Sequence, residues 1–124
     1  SMILPCITSG NRVVAVPSLK AALIVADFYQ LLDTSDVPGG VINLVTGVPS
    51  ELATVLAAHD DVAAIWAVGP VDECEQIKKE SAGNLKSVWT SDGKSPDWYD
   101  SQAEGSSWLE RATQVKNIWV PYGE

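Results

Sequence analysis

Pro38-Gly39-Gly40-Val41-Ile42-Asn43-Leu44-Val45-Thr46-Gly47 sets the architecture of this chain. Pro-Gly-Gly punctuates a turn, an apolar run follows, and Gly47 with Pro49 breaks the chain again, so Val41–Val45 reads as a strand. Upstream, Val13–Val16 is a second such run, bounded by Gly10-Asn11 and Pro17. Between the two, Ser18 offers an N-cap oxygen to a helix over about residues 19–33. Ala21, Ile24, Val25, Phe28, Leu31 and Leu32 give that helix a wide apolar stripe at i, i+3, i+4 spacing. Downstream come a short helix carrying Leu52, Val55 and Leu56, a third strand at Val62–Val68, and the turn Gly69-Pro70. A helix over about residues 71–82 ends at Gly83-Asn84, and Leu85–Thr90 makes a fourth strand. Strands that are nearly continuously apolar and alternate with helices predict an α/β fold, a mostly parallel sheet with helices on both faces.

From Ser91 the chain turns polar, through Asp92, Ser95, Asp97, Asp100, Ser101, Glu104, Gly105 and Ser106. The expected division has Ser1-Met2 as an expression scar, residues 3–96 as the main body and 97–107 as a polar connector. Residues 108–124 then complete the same domain with a short helix, Trp108–Thr113 capped by Ser107, and a last strand, Val115–Val120. The sheet is expected to hold about five strands.

Bulk composition excludes several function classes. A length of 124 residues with 46% hydrophobic content supports one domain with an ordinary core. Net charge is −8, and the basic residues (Arg12, Lys20, Lys78, Lys79, Lys86, Lys94, Arg111, Lys116) form no stripe, which argues against nucleic acid and anionic membrane as partners. Cys6 and Cys74 are too few for a disulfide framework and lack zinc-site spacing, so no metal is expected. Reduced cysteines, no signal-peptide pattern and no apolar run near the length of about 18 residues that spans a bilayer fit a cytoplasmic protein.

Four ordered segments carry a resemblance. Gly10-Asn11-Arg12-Val13-Val14-Ala15-Val16-Pro17 resembles the aldehyde dehydrogenase strand that runs from a Gly-Asn turn to a Lys-Pro. Pro38–Gly47 resembles that family's Pro-Pro-Gly-Val-Val-Asn-Val-Val-x-Gly, and His59-Asp60-Asp61-Val62 its His-x-Asp-Val. Gly93-Lys94-Ser95-Pro96 resembles the end of its Glu-Leu-Gly-Gly-Lys-Ser-Pro. The match covers roughly residues 3–97 and implies a Rossmann-like coenzyme domain. Val115-Lys116-Asn117-Ile118-Trp119-Val120 looks like the Thr-Val-Trp-Val strand near the end of the family's catalytic domain. It follows Pro96 after a short connector, where a complete member inserts the domain that bears the nucleophilic cysteine. The type most similar is the truncated second copy in family-sixteen aldehyde dehydrogenases.

The positions where the resemblance implies chemistry carry other residues. Val16 stands where the family has the lysine that contacts the adenosine ribose, and Val supplies no hydrogen bond. Leu19 replaces an acidic residue two positions after the proline. Gly69-Pro70 replaces the Gly-Ser pair that meets the pyrophosphate, losing a hydroxyl and an amide donor. Asp72, Glu73 and Glu75 crowd the helix start, and Cys74 replaces a second glycine. Thr90 stands at the general-base glutamate, with no useful basicity near neutral pH. Neither Cys6 nor Cys74 falls at the nucleophile position. No catalytic or metal residue and no cofactor is therefore expected; NAD is the alternative.

Weaker signals read as structure. Gly93-Lys94-Ser95 ends like a phosphate loop, but Val88 stands where the first glycine belongs and Pro96 spoils the next helix start. His59, the one histidine, reads as a helix C-terminal residue, Asp60-Asp61 as a solvated turn, and Lys78-Lys79 as a helix end. Of five tryptophans, Trp66, Trp89 and Trp119 fall in predicted strands, where core packing is the default. Trp98, Tyr99 and Trp108 flank the connector and, with Trp119 on the tail, are the candidate contact surface for a protein partner or a second copy. The expected role is non-catalytic: assembly or partner binding within a larger dehydrogenase-type protein. The alternative is a residual NAD-binding part of an aldehyde-oxidising oxidoreductase.

Overall fold

A computed structural model of the chain describes residues 1–122. A short helix α1 (Ile3–Thr8), which the sequence reading did not anticipate, precedes strand β1 (Val13–Ala15). A 3₁₀ turn (Leu19–Ala21) leads into helix α2 (Ala22–Asp33), and strand β2 (Ile42–Leu44) pairs in parallel with β1. The same unit repeats with helix α3 (Pro49–Ala58), strand β3 (Ala64–Ala67), helix α4 (Val71–Glu80) and strand β4 (Ser87–Thr90), where β3 and β4 again pair in parallel. Two further 3₁₀ turns (Ser81–Gly83 and Ser101–Glu104) and helix α5 (Ser106–Arg111) complete the order.

The strands fall where the apolar runs predicted and the connections are helical, so the chain is α/β. The single sheet of about five strands is not what forms. Among the described residues the strands make two separate two-stranded parallel sheets, β1–β2 and β3–β4. Each strand is only three or four residues long, and each pair shares one short ladder. The last strand expected at Val115–Val120 is absent: residues 113–122 carry no regular structure, and their side chains stand in solvent rather than beside a ladder. Gly123 and Glu124, at the end of the 108–124 segment, lie outside the described residues.

Local chemistry accounts for the helix ends. Ser18 acts one turn early: its hydroxyl accepts the Lys20 N–H at 3.3 Å and so caps the 3₁₀ turn ahead of α2. Pro49 occupies the first turn of α3, where its missing N–H costs nothing. Helix α4 carries Asp72 and Glu73 in its first turn and Lys78 and Lys79 in its last, both suited to the helix dipole. Lys86 closes α3 from outside, its ammonium donating to the carbonyls of Leu56, Ala57 and His59 at 3.4, 2.5 and 2.8 Å. His59 is the C-terminal cap residue of α3, and its Nδ1 accepts the Asp61 N–H at 3.2 Å, the structural role expected of it. Helix α5 starts from Gly105, so Ser107, the expected cap, lies inside the helix instead.

The core sits in the second unit. Ala57 of α3, Ile65 of β3 and Ile77 of α4 pack together, with Ala53, Leu56, Ala67 and Val88 around them. The first unit is more open: Val25, Phe28 and Leu32 of α2 are half-buried, while Ile24 and Leu31 of the same predicted stripe are exposed.

Candidate functional site: the ends of β3 and β4

Parallel pairing sets Ala67 of β3 beside Thr90 of β4, so both strands end at the place where α4 begins. Beyond Ala67 the chain turns through Gly69-Pro70, and Pro70 is the N-cap of α4 with extended backbone. The polar groups of this turn are satisfied from within the chain. Gly69 N–H donates to Ser91 Oγ at 3.2 Å, and the Gly69 carbonyl accepts from Gly93 N–H at 3.0 Å and from the Ser91 hydroxyl at 3.4 Å. The Cys74 thiol reaches the same carbonyl at 3.5 Å, and Cys74 N–H donates to the Pro70 carbonyl at 3.1 Å.

Side chains fill the space above. A Cβ built on Gly69 would stand 3.3 Å from Glu73 Oε2, so the Glu73 carboxylate lies over the turn at the start of α4. A Cβ on Gly93 would meet Val71 Cγ2 at 2.9 Å, and Gly93 holds φ +77°, a conformation glycine adopts without strain. The loop after β4 is thus pressed against the first residue of α4. Beside it, Asp92 Oδ1 accepts from Lys78 Nζ at 2.6 Å and from Thr90 Oγ1 at 2.7 Å. The hydrogen bond from Lys78 and then that from Thr90 hold the Asp92 carboxyl below its ordinary value.

The structure brings Gly69, Pro70 and Thr90, three of the expected positions, to this one end. Val16 and Leu19 follow β1 on the other strand pair, Val16 half-buried and Leu19 exposed, neither with a polar side-chain group. Ser91, Asp92, Lys78 and Val71 were not read as part of the site. The parallel register of β3 with β4 was the available signal, since it places the residues after Thr90 beside Gly69. Cys6 is half-buried in α1, its thiol donating to the Met2 carbonyl at 3.3 Å, and burial pushes its pKa up. Cys74 is fully buried. Among the described residues no three metal-ligating side chains cluster, and no helix is long and apolar enough to cross a membrane.

Trp108, expected on a contact surface, is instead only 7% exposed. Its indole packs at centroid distances of 5.0 Å from Trp89, 5.4 Å from Trp66 and 6.2 Å from Trp98, and the Arg111 guanidinium stands over the Trp89 and Trp108 rings. Packing won here because α5 folds back against the strands that carry Trp66 and Trp89. Trp98 keeps one side in solvent along a shallow cleft, and Tyr99 and Trp119 are exposed. Trp119 is therefore not in a strand, and its indole is not core.

Residues 1–114 match the Aldehyde dehydrogenase family. The chain belongs to that family. A (Z)-2-((N-methylformamido)methylene)-5-hydroxybutyrolactone dehydrogenase of Acinetobacter baylyi is 37% identical over 93 residues, covering 74% of this chain and 19% of that protein. The NADP/NAD-dependent aldehyde dehydrogenase PuuC of Escherichia coli is 33% identical over 90 residues, 72% of this chain and 18% of its own length. Among solved structures, aldehyde dehydrogenase C of Pseudomonas syringae, in complex with NAD+ and octanal, superposes with a TM-score of 0.70 at 34% identity. That match covers 76% of this chain and 20% of the neighbour. The chain thus spans about a fifth of the length of these relatives.

Proposed function

We propose that the chain is a non-catalytic, degenerate coenzyme-type domain, serving assembly or protein-partner binding within a larger aldehyde dehydrogenase-like protein. The type it fits best is the truncated second copy of family-sixteen aldehyde dehydrogenases. The observation that carries the reading is the turn at Gly69. Its main-chain donor is spent on Ser91, and the Glu73 carboxylate lies over it. A dinucleotide needs its pyrophosphate at such a helix start, where amide donors and the dipole favour negative charge. Here Pro70 has removed one donor, and a phosphate brought close to the Glu73 carboxylate beside Gly69 would meet like-charge repulsion. These features support a turn that no longer takes a nicotinamide nucleotide. Thr90 at the place of the general base, engaged with Asp92, points the same way.

A second reading keeps a residual NAD-binding part, favoured by the solved neighbour that holds NAD+ at 34% identity. Thermal unfolding of the full chain with and without millimolar NAD+ or NADH separates the two. The degenerate-domain reading expects no change in Tm; a rise of several degrees that saturates with nucleotide sustains the second, because a ligand bound to the native state alone stabilises it by mass action.

A further inference from the structure

We propose that the cleft beside Trp98 is a binding site for a small zwitterion with a flat apolar body, of which a free aromatic amino acid is the simplest form. No residue lining it belongs to the Gly69 turn, so the proposal goes beyond the non-catalytic reading above and does not rest on it.

The walls come first. The cleft holds about 360 Å³ between the loop after β4 and helix α5, within the range of about 300–1,000 Å³ typical of small-molecule sites. Trp89 comes from β4, Trp108 from α5, and Trp98 from the loop between them. Trp108 is buried and braced by Trp66 and Trp89, so this part of the wall is set before any ligand arrives. Trp98, 40% exposed and tilted 32° from the Trp108 ring, is the wall that keeps a face for an incoming flat group.

Charge decides the class of ligand. The Arg111 guanidinium stands 5.6 Å from the Trp89 ring centroid and 5.8 Å from that of Trp108. Among the described residues it makes no ion pair, although Asp97 and Asp100 line the same cleft. Ring faces hold it, and its planar fork of N–H donors is left for a carboxylate from outside. The two acids are set by one turn: Asp97 Oδ1 accepts the Tyr99 N–H at 3.0 Å, and the Asp97 carbonyl accepts the Asp100 N–H at 3.2 Å. A simple anion would meet both carboxylates, on a chain of net charge −8. A simple cation would meet Arg111, which already stands over the rings that would attract it. A zwitterion meets neither obstacle. Its carboxylate pairs with Arg111, its ammonium lies by the acidic turn, and its flat body lies on Trp98.

The test is a nuclear magnetic resonance titration of the isotope-labelled full chain with L-phenylalanine. The indole N–H signals of Trp98 and Trp108 are expected to shift and saturate at millimolar ligand, while that of Trp119, exposed and outside the cleft, stays still. N-acetylphenylalanine, with the carboxylate alone, and phenylalanine amide, with the ammonium alone, should each bind about tenfold more weakly, the loss of one charged hydrogen bond at an open site. Arg111→Gln should bring phenylalanine down to the affinity of its amide. Asp97→Asn, which keeps the acceptor for the Tyr99 N–H, should weaken phenylalanine and leave N-acetylphenylalanine unchanged. The absence of a saturable shift, shifts shared by Trp119, or unchanged phenylalanine binding in both variants overturns the inference. So does equal binding of all three compounds, which is adsorption on indoles alone. N-acetylphenylalanine binding as tightly as phenylalanine also overturns it, because the cleft would then read the C-terminal carboxylate of a peptide.

Discussion

Gly69 shows how one residue's surroundings decide what a helix start can hold. The helix dipole and the first amides of α4 would suit an anion, and the Glu73 carboxylate already stands beside Gly69. Lys86 is the converse case, a cation at a helix end, and its three carbonyl contacts tie β4 to α3. Replacing it with methionine keeps the stem and removes the donors, so Lys86→Met should destabilise the fold by about 1.5–3 kcal/mol, read as a lower urea midpoint at unchanged m-value. Asp92 gives a pH signature. Its folded pKa is depressed by Lys78 and Thr90, so its contribution is complete above the ordinary carboxylate range and lost as pH falls through the folded value. The stability of Asp92→Asn should lie below wild type at neutral pH, by a small amount because the pair is exposed, and converge with it in acid. At this scale the residue types at Val16, Pro70 and Thr90 were legible, since each stands in a readable position. The partners Ser91 and Val71 were not, because they reach Gly69 and Gly93 only through the β3–β4 register.

At the scale of elements, periodicity and turn residues located four strands and the helices between them to within a few residues. What they did not convey was how many strands share a ladder. An apolar run says that a strand will be buried, but not against what, and the tail Val115–Val120 reads like a strand while forming none here. Helix α5 shows the same limit. Trp108 stands after a polar connector and resembles a surface aromatic, yet three other indoles close around it. Trp108→Ala should therefore act as a core truncation and cost about 3–5 kcal/mol, with loss of the near-UV circular dichroism of the packed indoles. A change at Tyr99, fully exposed, should leave both unaltered.

For the whole molecule, the residues at the Gly69 turn and the proposed non-catalytic role belong to one account. A segment spanning about a fifth of its relatives alternates strands and helices, and its turn at Gly69 is bonded from within the chain by Ser91 and Gly93. On the proposed reading, its exposed apolar residues suit a protein neighbour rather than a nucleotide. The most direct measurement is an isothermal titration of the full chain with NADH at millimolar concentration. No heat beyond dilution is the result this account predicts. Saturable binding of one nucleotide per chain would contradict it, because Glu73 would then have to yield its place at Gly69 to a phosphate.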